Sequence, residues 1–283
     1  MGGKTRRKLW SGRFTEETDR LVEIFTASLP FDMRLYDHDI EGSIAHCRML
    51  EKQGIIPPAD AGKIVEALAG IRADIGSGAF RFVQTDEDIH MAVERGLIER
   101  IGPAGGKVHT GRSRNDQVSL DMRLYLRDEI GEILKLVARL EKTLIALAKR
   151  EIDTIMPGYT HLQKAQPVLL AHYLLAFREM LERDSARLAE CLERVNVMPL
   201  GSAALAGTSL PLDRKHTAKL LGFKAISANS MDAVSDRDFV AEFIFDAGLL
   251  MMHLSRFCED LIIWSSGEFG FVEISDAYTT GSS

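Results

Sequence analysis

The chain has 283 residues, of which 46% are hydrophobic and 27% are charged, and its formal net charge at pH 7 is −6. This composition is typical of a soluble globular protein with a sizeable core, in one large domain or two smaller ones. The negative charge argues against a nucleic-acid partner, because nucleic-acid-binding domains carry a basic surface. No apolar run reaches the length of a membrane span, so no membrane partner is expected.

The sequence also lacks the usual signals of disulfides, metals and nucleotides. Cys47, Cys191 and Cys258 are widely spaced, which argues against a structural disulfide and indicates a reduced, cytoplasmic location. The histidines show neither HxxxH nor HExxH spacing, and no phosphate-binding glycine motif is present. We therefore expect no metal and no cofactor.

The N-terminal part predicts short helices separated by turns. Glycine and proline punctuation favours helices over residues 57–75 and 86–101, after a first one over 32–52. Acidic residues in the first turn of the 86–101 segment fit the helix dipole. Residues 80–83 alone have the pattern of a strand.

Three much longer helices are predicted after residue 112, over 115–154, 167–199 and 235–266. Apolar residues recur along each at three- and four-residue spacing. Pro167 suits the first turn of the second helix, and residues 235–238 read as a capping box for the third. Apolar stripes of this length favour an elongated bundle, and the third helix is apolar almost all round. We therefore expect partner subunits to cover part of the bundle.

Two loop segments carry dense polar chemistry. Residues 107–117, KVHTGRSRNDQ, combine arginines, hydroxyls and amides just before a long helix, which suits a carboxylate ligand. The alternative is that Asn115 or Asp116 only caps the helix. Residues 157–167, PGYTHLQKAQP, join two long helices and include His161, a candidate proton carrier near neutral pH. The alternative is that His161 is an ordinary surface histidine.

These two segments, with GSS at 281–283, resemble the three separated active-site regions of the argininosuccinate lyase family. This family includes the delta-crystallins and belongs to the fumarase/aspartase superfamily. RSRNDQ at 112–117 separates it from fumarase and adenylosuccinate lyase. Other matching segments are LWSGRF at 9–14, EDIH at 87–90, MPLGS at 198–202 and NSMDAVSDRD at 229–238.

The resemblance implies an all-α fold, with a small N-terminal helical domain over 1–112 and an elongated long-helix bundle over 113–283 that assembles between subunits. It also implies a homotetramer whose active sites are each built from three chains. Because the family's serine loop and later helices would follow residue 283, we expect an incomplete bundle, no C-terminal domain, and little activity of the chain alone.

The resemblance also assigns roles to individual residues. The catalytic pair is His161 and Ser282, and the matching substrate-binding positions are Ser28, Asn115, Thr160, Arg114 and His90. The implied reaction is the reversible β-elimination of L-argininosuccinate to L-arginine and fumarate, without a cofactor. One group takes a carbon proton and another protonates the leaving nitrogen; which of the two catalytic residues does which stays open. The alternatives are a helical scaffold without turnover and a sibling lyase that acts on another succinyl adduct.

Overall fold

A computed structural model describes residues 19–83 and 86–281 of the chain, so Ser282 lies outside the described residues. Nearly all the regular structure in these ranges is helical, apart from two small two-stranded sheets. The predicted helical fold class is confirmed. None of the helices in the described part of the chain is long and apolar enough to cross a membrane.

The N-terminal part consists of short helices, most of which pack around one apolar core. They are α1 (Arg20–Thr26), α2 (Leu29–Asp32), α3 (Tyr36–Lys52), α4 (Pro58–Gly76) and α5 (Ile89–Ile101), with 3-10 turns at Met33–Leu35 and Gly102–His109. The fully buried side chains at the centre of this core include Ile40, Leu50, Ile64, Leu68, Ile71, Ile89 and Leu97.

Two predictions for this part need correction. Helix α5 begins at Ile89 rather than at residue 86, because Asp88 is its N-cap and accepts a hydrogen bond from Met91 N at 2.6 Å. Residues 80–83 do not form a strand. Phe80 instead packs edge-on against Phe82 and fits against Gly96, where an added Cβ would lie 2.8 Å from the Phe80 ring. Aromatic packing, not strand pairing, therefore explains the apolar pattern.

The remainder of the chain is built on three long helices, α6 (Arg114–Arg150), α7 (Leu170–Val195) and α10 (Asp238–Ser265). At 1.5 Å per residue, the 37 residues of α6 give a length of about 55 Å. The three helices share a second apolar core, whose buried members include Leu126, Ile130, Leu144, Leu174, Leu181, Leu188 and Leu250. The predicted long-helix bundle is confirmed within one chain; the division into domains at residues 112 and 113 stays a prediction.

A β-hairpin joins α6 to α7, where the sequence predicted only a loop and an early helix start. Strands β1 (Ile155–Thr160) and β2 (Gln163–Leu169) pair antiparallel. Pro167 therefore lies in a strand and opposite Pro157, and α7 begins only at Leu170. Proline has no N–H to donate to a strand ladder, and it is tolerated in an edge strand. Pro167 is therefore compatible with a strand as well as with the first turn of a helix, and the predicted helix start at this residue was wrong.

The α7–α10 connection contains small elements that pack on the start of α6. They are β3 (Val197–Met198), α8 (Arg214–Leu220), β4 (Ala225–Ile226) and α9 (Ser230–Ser235), and β3 pairs parallel with β4.

The predicted capping box at 235–238 is not formed. Ser235 Oγ donates to Met231 O at 3.0 Å, within α9, and Asp236 Oδ1 accepts from Asp238 N at 2.8 Å instead.

Helix α10 presents an apolar surface that residues 19–83 and 86–281 leave exposed. The side chains of Ile244 and Phe245 are each 63% exposed and that of Met251 is 62% exposed. Further along the helix, Met252 and Ile262 are also exposed. A face of this kind is typical of a protein–protein contact.

Candidate active site

The start of α6 is fixed by one buried carboxylate. Ser113 and Asp116 form a reciprocal capping box, in which Ser113 N donates to Asp116 Oδ1 at 2.9 Å. Asp116 Oδ2 accepts from Gly201 N at 3.1 Å and from Ala203 N at 2.8 Å. Asp116 is fully buried, and it ties the MPLGS segment to the residues that begin the helix.

The two candidate ligand residues that follow Ser113 have different surroundings. Asn115 is exposed, and its Nδ2 donates to Ala204 O at 2.7 Å, so its side chain does not cap the helix. Arg114 donates to Gln117 Oε1 at 2.8 Å and lies 3.3 Å from Asp88 Oδ2. Of the two capping residues that the alternative offered, Asp116 caps α6 and Asn115 does not.

Ser28 belongs to the same region through the start of α5. Its hydroxyl donates to Asp32 Oδ2 at 2.6 Å, and Asp32 Oδ1 accepts from Ile89 N at 3.0 Å. The backbone N–H of Ser28 donates to Glu87 O at 2.9 Å. Burial raises the pKa of Asp32, against the opposing hydrogen bond from Ser28. Ser28 thus lies beside the first turn of α5, which also carries His90.

His90 lies at the centre of a buried polar cluster. Its Nδ1 is 3.0 Å from Asp39 Oδ1 on α3 and 3.2 Å from Asp121 Oδ2 on α6. All three side chains are at most 3% exposed. Burial alone would lower the pKa of His90, but this pKa is raised, above all by the charge of Asp39 and the hydrogen bond to it. His90 is therefore favoured as a cation.

Arg112 and Gln117 complete this polar cluster. Arg112 is buried and its Nη1 donates to Ser43 Oγ at 3.0 Å, while Gln117 Nε2 donates to Asp39 Oδ1. A cavity of about 10 Å³ lies between these side chains and His90. This is the volume of about one water molecule, too small for a substrate. The cluster therefore does not itself enclose a substrate.

Thr160 and His161 lie elsewhere, at the tip of the β1–β2 hairpin. Thr160 pairs with Gln163, so His161 and Leu162 form a two-residue turn. Both turn residues have positive φ, 54° and 58°, as a type I′ turn requires. Since neither is glycine, this backbone is strained, a feature that clusters at functional sites. His161 and Thr160 are exposed.

The hairpin is attached to the far end of the bundle. The ring of Tyr159 packs against that of Phe269 with centroids 5.3 Å apart. Phe271 N donates to Trp264 O at 2.8 Å, and Trp264 packs on Tyr173 in the first turns of α7. These contacts place the hairpin beside the start of α7 and the end of α10. Arg114, by contrast, begins α6, about 55 Å away along that helix.

The structure therefore divides the predicted site residues into two groups. Ser28, His90, Arg114 and Asn115 lie together around the starts of α5 and α6. Thr160 and His161 lie at the hairpin tip. No contact between the two groups is found within residues 19–83 and 86–281 of one chain.

Asp39 and Asp121 were missed by the sequence analysis, although their spacing offered a signal. Asp121 follows Gln117 by one helical turn on α6, and Ser43 follows Asp39 by one turn on α3, so each pair shares a helix face. Polar residues that recur on an otherwise apolar face indicate a buried polar cluster. Such polar residues are easily overlooked in a helix segment that is predicted to be core.

The same cluster has donor atoms that a divalent ion could use, since Asp39, His90 and Asp121 place one atom each within 4.8 Å of one another. The cluster already contains positively charged side chains, however. Arg112 and a cationic His90 neutralise the carboxylate of Asp39, and both His90 and Gln117 donate to its Oδ1. The arrangement fits an internal hydrogen-bonded cluster better than a metal centre.

Comparison with known proteins identifies relatives along nearly the whole chain. The chain is 68% identical over 276 residues to an argininosuccinate lyase of Syntrophus aciditrophicus (strain SB), covering 98% of this chain and 58% of the relative. It is 62% identical to an argininosuccinate lyase of Moorella thermoacetica, covering 98% of this chain and 60% of that relative. The chain thus spans about three fifths of the length of these curated relatives.

Solved structures agree with this relationship. A variant of EDDS lyase with bound fumarate superimposes with a TM-score of 0.82 at 33% identity, covering 89% of this chain and 50% of that one. The resemblance to argininosuccinate lyases described above is confirmed. A family model described as "Lyase" matches residues 12–283. The chain therefore belongs to this lyase family.

Proposed function

We propose that the chain acts as an argininosuccinate lyase, which splits L-argininosuccinate reversibly into L-arginine and fumarate, in arginine biosynthesis in the cytoplasm. The observation that carries the proposal is the 68% identity to a curated argininosuccinate lyase across 98% of the chain. A solved relative at 33% identity holds fumarate, which supports a fumarate-forming reaction.

The group of residues at the starts of α5 and α6 suits a substrate with carboxylates. Arg114 supplies a guanidinium and Asn115 an amide, at the first turn of a long helix whose dipole favours anions. His90 adds a cation, because its pKa is raised, and Ser28 adds a hydroxyl beside the same helix starts. We assign substrate binding to these four residues, with Thr160 contributing from the hairpin.

The reaction needs two proton transfers. Removal of the proton from the carbon next to a carboxylate places negative charge on that carboxylate, where positive groups and N–H donors stabilise it. The bond from the neighbouring carbon to the guanidino nitrogen then breaks, and this nitrogen takes up a proton. We assign the transfers to His161 and Ser282. The exposed position of His161 at a strained turn leaves its ring accessible to a ligand.

One chain cannot supply both groups of residues to one substrate. Strand β1 has six residues and so spans about 20 Å, which is far less than the length of α6. We therefore propose that His161 of one copy completes the site formed by Arg114 of another, within a homotetramer. The exposed apolar face of α10 supports this association, because a neighbouring bundle would bury it.

The experiment is to follow fumarate formation by its ultraviolet absorbance, with L-argininosuccinate as substrate and adenylosuccinate as a comparison. The chain is assayed alone and together with the region of the Syntrophus aciditrophicus relative that it does not span. We expect fumarate to form from argininosuccinate and not from adenylosuccinate, in at least one of these two assays. Fumarate from adenylosuccinate would reassign the substrate, and a folded oligomer inactive in both arms would indicate a helical scaffold.

A further inference from the structure

We propose that Asp39 and Asp121 are positioning residues with unequal roles: Asp121 carries a proton that it shares with Asp39, and Asp39 orients His90 as a cation toward the substrate. The role of Asp39 in orienting His90 toward the substrate rests on the proposed function. The unequal proton distribution between the two carboxyl groups does not, and it can be tested without substrate.

The first step concerns the single nitrogen that both carboxyl groups approach. His90 Nδ1 is 3.0 Å from Asp39 and 3.2 Å from Asp121, and it carries at most one proton. The shorter contact, to Asp39, is the one with hydrogen-bond geometry. The other ring nitrogen, Nε2, hydrogen-bonds to none of the residues that the structure describes. Asp39 therefore fixes the orientation of the ring through Nδ1.

The second step is the contrast between the two carboxyl groups. Asp39 accepts hydrogen bonds from His90 and Gln117, whereas neither oxygen of Asp121 receives one from a described residue. Asp121 is completely buried. A buried carboxylate without a donor is strongly unfavourable, and protonation removes the charge. The neutral carboxyl group of Asp121 can then donate its proton to Asp39.

The directions of the pKa shifts agree with this assignment. Burial, followed by the nearby charge of Asp39, raises the pKa of Asp121 well above its usual range. Burial would also raise the pKa of Asp39. The charges of His90 and Arg112, together with the hydrogen bonds from His90 and Gln117, outweigh burial and lower it. Both directions therefore favour a neutral Asp121 beside an ionised Asp39.

The charged groups on the neighbouring elements also face this cluster. Arg114, at the start of α6, opposes the positive charge of His90, whereas Asp32 of α2 interacts favourably with it. Arg112 lies close to Asp39, and Glu94 on α5 has a pKa raised by burial. Asp88 and Glu94 lie near Arg114. If Asp121 is neutral, His90, Arg112 and Arg114 face one negative charge fewer, which favours a substrate that carries carboxylates.

The experiment compares two isosteric substitutions, Asp121→Asn and Asp39→Asn, in the full chain. Histidine-selective isotope labelling and NMR measure the pKa of His90, whose signal is assigned with His90→Gln. An asparagine at 121 still donates an N–H to Asp39, so we expect the pKa of His90 to stay unchanged. Asp39→Asn removes the carboxylate that charges His90, and we expect a fall of about one unit or more.

A second measurement keeps the proposal testable if the Asp39→Asn variant does not fold. Infrared difference spectra of the wild type should show the carbonyl stretch of a protonated carboxyl group at neutral pH, and Asp121→Asn should remove this band. Equal falls in the His90 pKa in both variants, or a wild type without that band, would overturn the proposal.

The substrate clause is tested separately, by fumarate binding in the folded variants. Asp39→Asn should weaken fumarate binding about tenfold and lower the pH above which binding is lost, whereas Asp121→Asn should change neither. Unchanged fumarate affinity in Asp39→Asn would overturn the substrate clause. If the wild type binds no fumarate at all, the proposed function fails, while the NMR and infrared results still decide how the proton is distributed.

Discussion

Arg114 and His161 lie at opposite ends of helix α6: Arg114 is its first residue, and His161 is at the tip of the hairpin that follows its last turn. The helix between them is about 55 Å long. Both residues carry groups suited to the same reaction, a guanidinium for a carboxylate and an imidazole for a proton. Their separation within one chain is the structural basis for proposing a site shared between copies.

His161→Ala should separate catalysis from stability. The side chain is exposed and makes no hydrogen bond to a described residue, so we expect the free energy of unfolding to change by less than about 0.5 kcal/mol. Loss of a proton-transfer group should lower the rate of fumarate formation about 100-fold or more in the active assembly. The matched control is His172→Ala, at another exposed histidine. Equal rates in both variants would show that His161 is an ordinary surface histidine.

Asp116→Ala should destabilise the fold around the start of α6. The substitution leaves the N–H groups of Ser113, Gly201 and Ala203 without their shared acceptor. Hydrogen bonds to a charged group contribute about 1.5–3 kcal/mol each, so the expected loss is about 3 kcal/mol or more. Urea unfolding measures it. Asp128→Ala, at an exposed carboxylate, is the control, and a loss as small as in that variant would show that the buried carboxylate is dispensable.

His46 should make the protein sensitive to acid. Burial and the charge of Arg112 lower the pKa of His46 to about 3, against the hydrogen bond from the ring to Thr110 O. The unfolded chain takes up the proton below about pH 6.5, whereas the folded chain does not until about pH 3. Stability is therefore lost as the pH falls through this window.

His46→Gln removes this titration and keeps an N–H donor for Thr110 O. Between pH 7 and pH 5, the wild type should lose about 2 kcal/mol more of its unfolding free energy than the variant loses. Urea unfolding at both pH values, with His172→Gln as the control, measures the difference. Parallel losses in the wild type and His46→Gln would contradict the account.

Leu162→Gly should relieve strain in the hairpin turn. Leu162 has a φ of 58° and its side chain is 67% exposed, so little packing is lost on its removal. A non-glycine residue in this conformation costs about 1 kcal/mol, and we expect a gain in stability of up to that amount. Leu162→Val, which is β-branched, should instead lower stability. Thermal unfolding of both variants checks the order, and a less stable glycine variant would show that the leucine side chain supports the turn.

The periodic parts of the fold were predictable because apolar spacing determines which faces are buried. Helices α4 and α6 lie close to their predicted bounds, since proline at the start of α4 and the capping residues of α6 mark them in the sequence. The hairpin between α6 and α7 was not predicted. Its turn uses His161 and Leu162 at positive φ, where turn signals normally require glycine or asparagine.

The candidate site was only partly accessible from the sequence. Dense polar motifs indicated Arg114, Asn115 and His161, but not that these residues lie at the two ends of one bundle. Asp39 and Asp121 come from separate helices and meet only through tertiary packing. Their partnership depends on a close approach of α3 and α6 at Gly42, where an added Cβ would lie 2.6 Å from Leu120. No local pattern encodes such an approach.

The most direct test of the shared site is a distance measurement by pulsed electron paramagnetic resonance. One spin label is placed beside Asn115 through Ala204→Cys and the other beside His161 through Gln163→Cys. Both are made in a Cys258→Ser background, because Cys258 is the exposed thiol. Mixed singly labelled chains should show a distance below about 25 Å, whereas a doubly labelled chain diluted with unlabelled protein should show about 50 Å or more. If mixing singly labelled chains gives no distance shorter than that within one chain, copies of the chain do not complete one another's site.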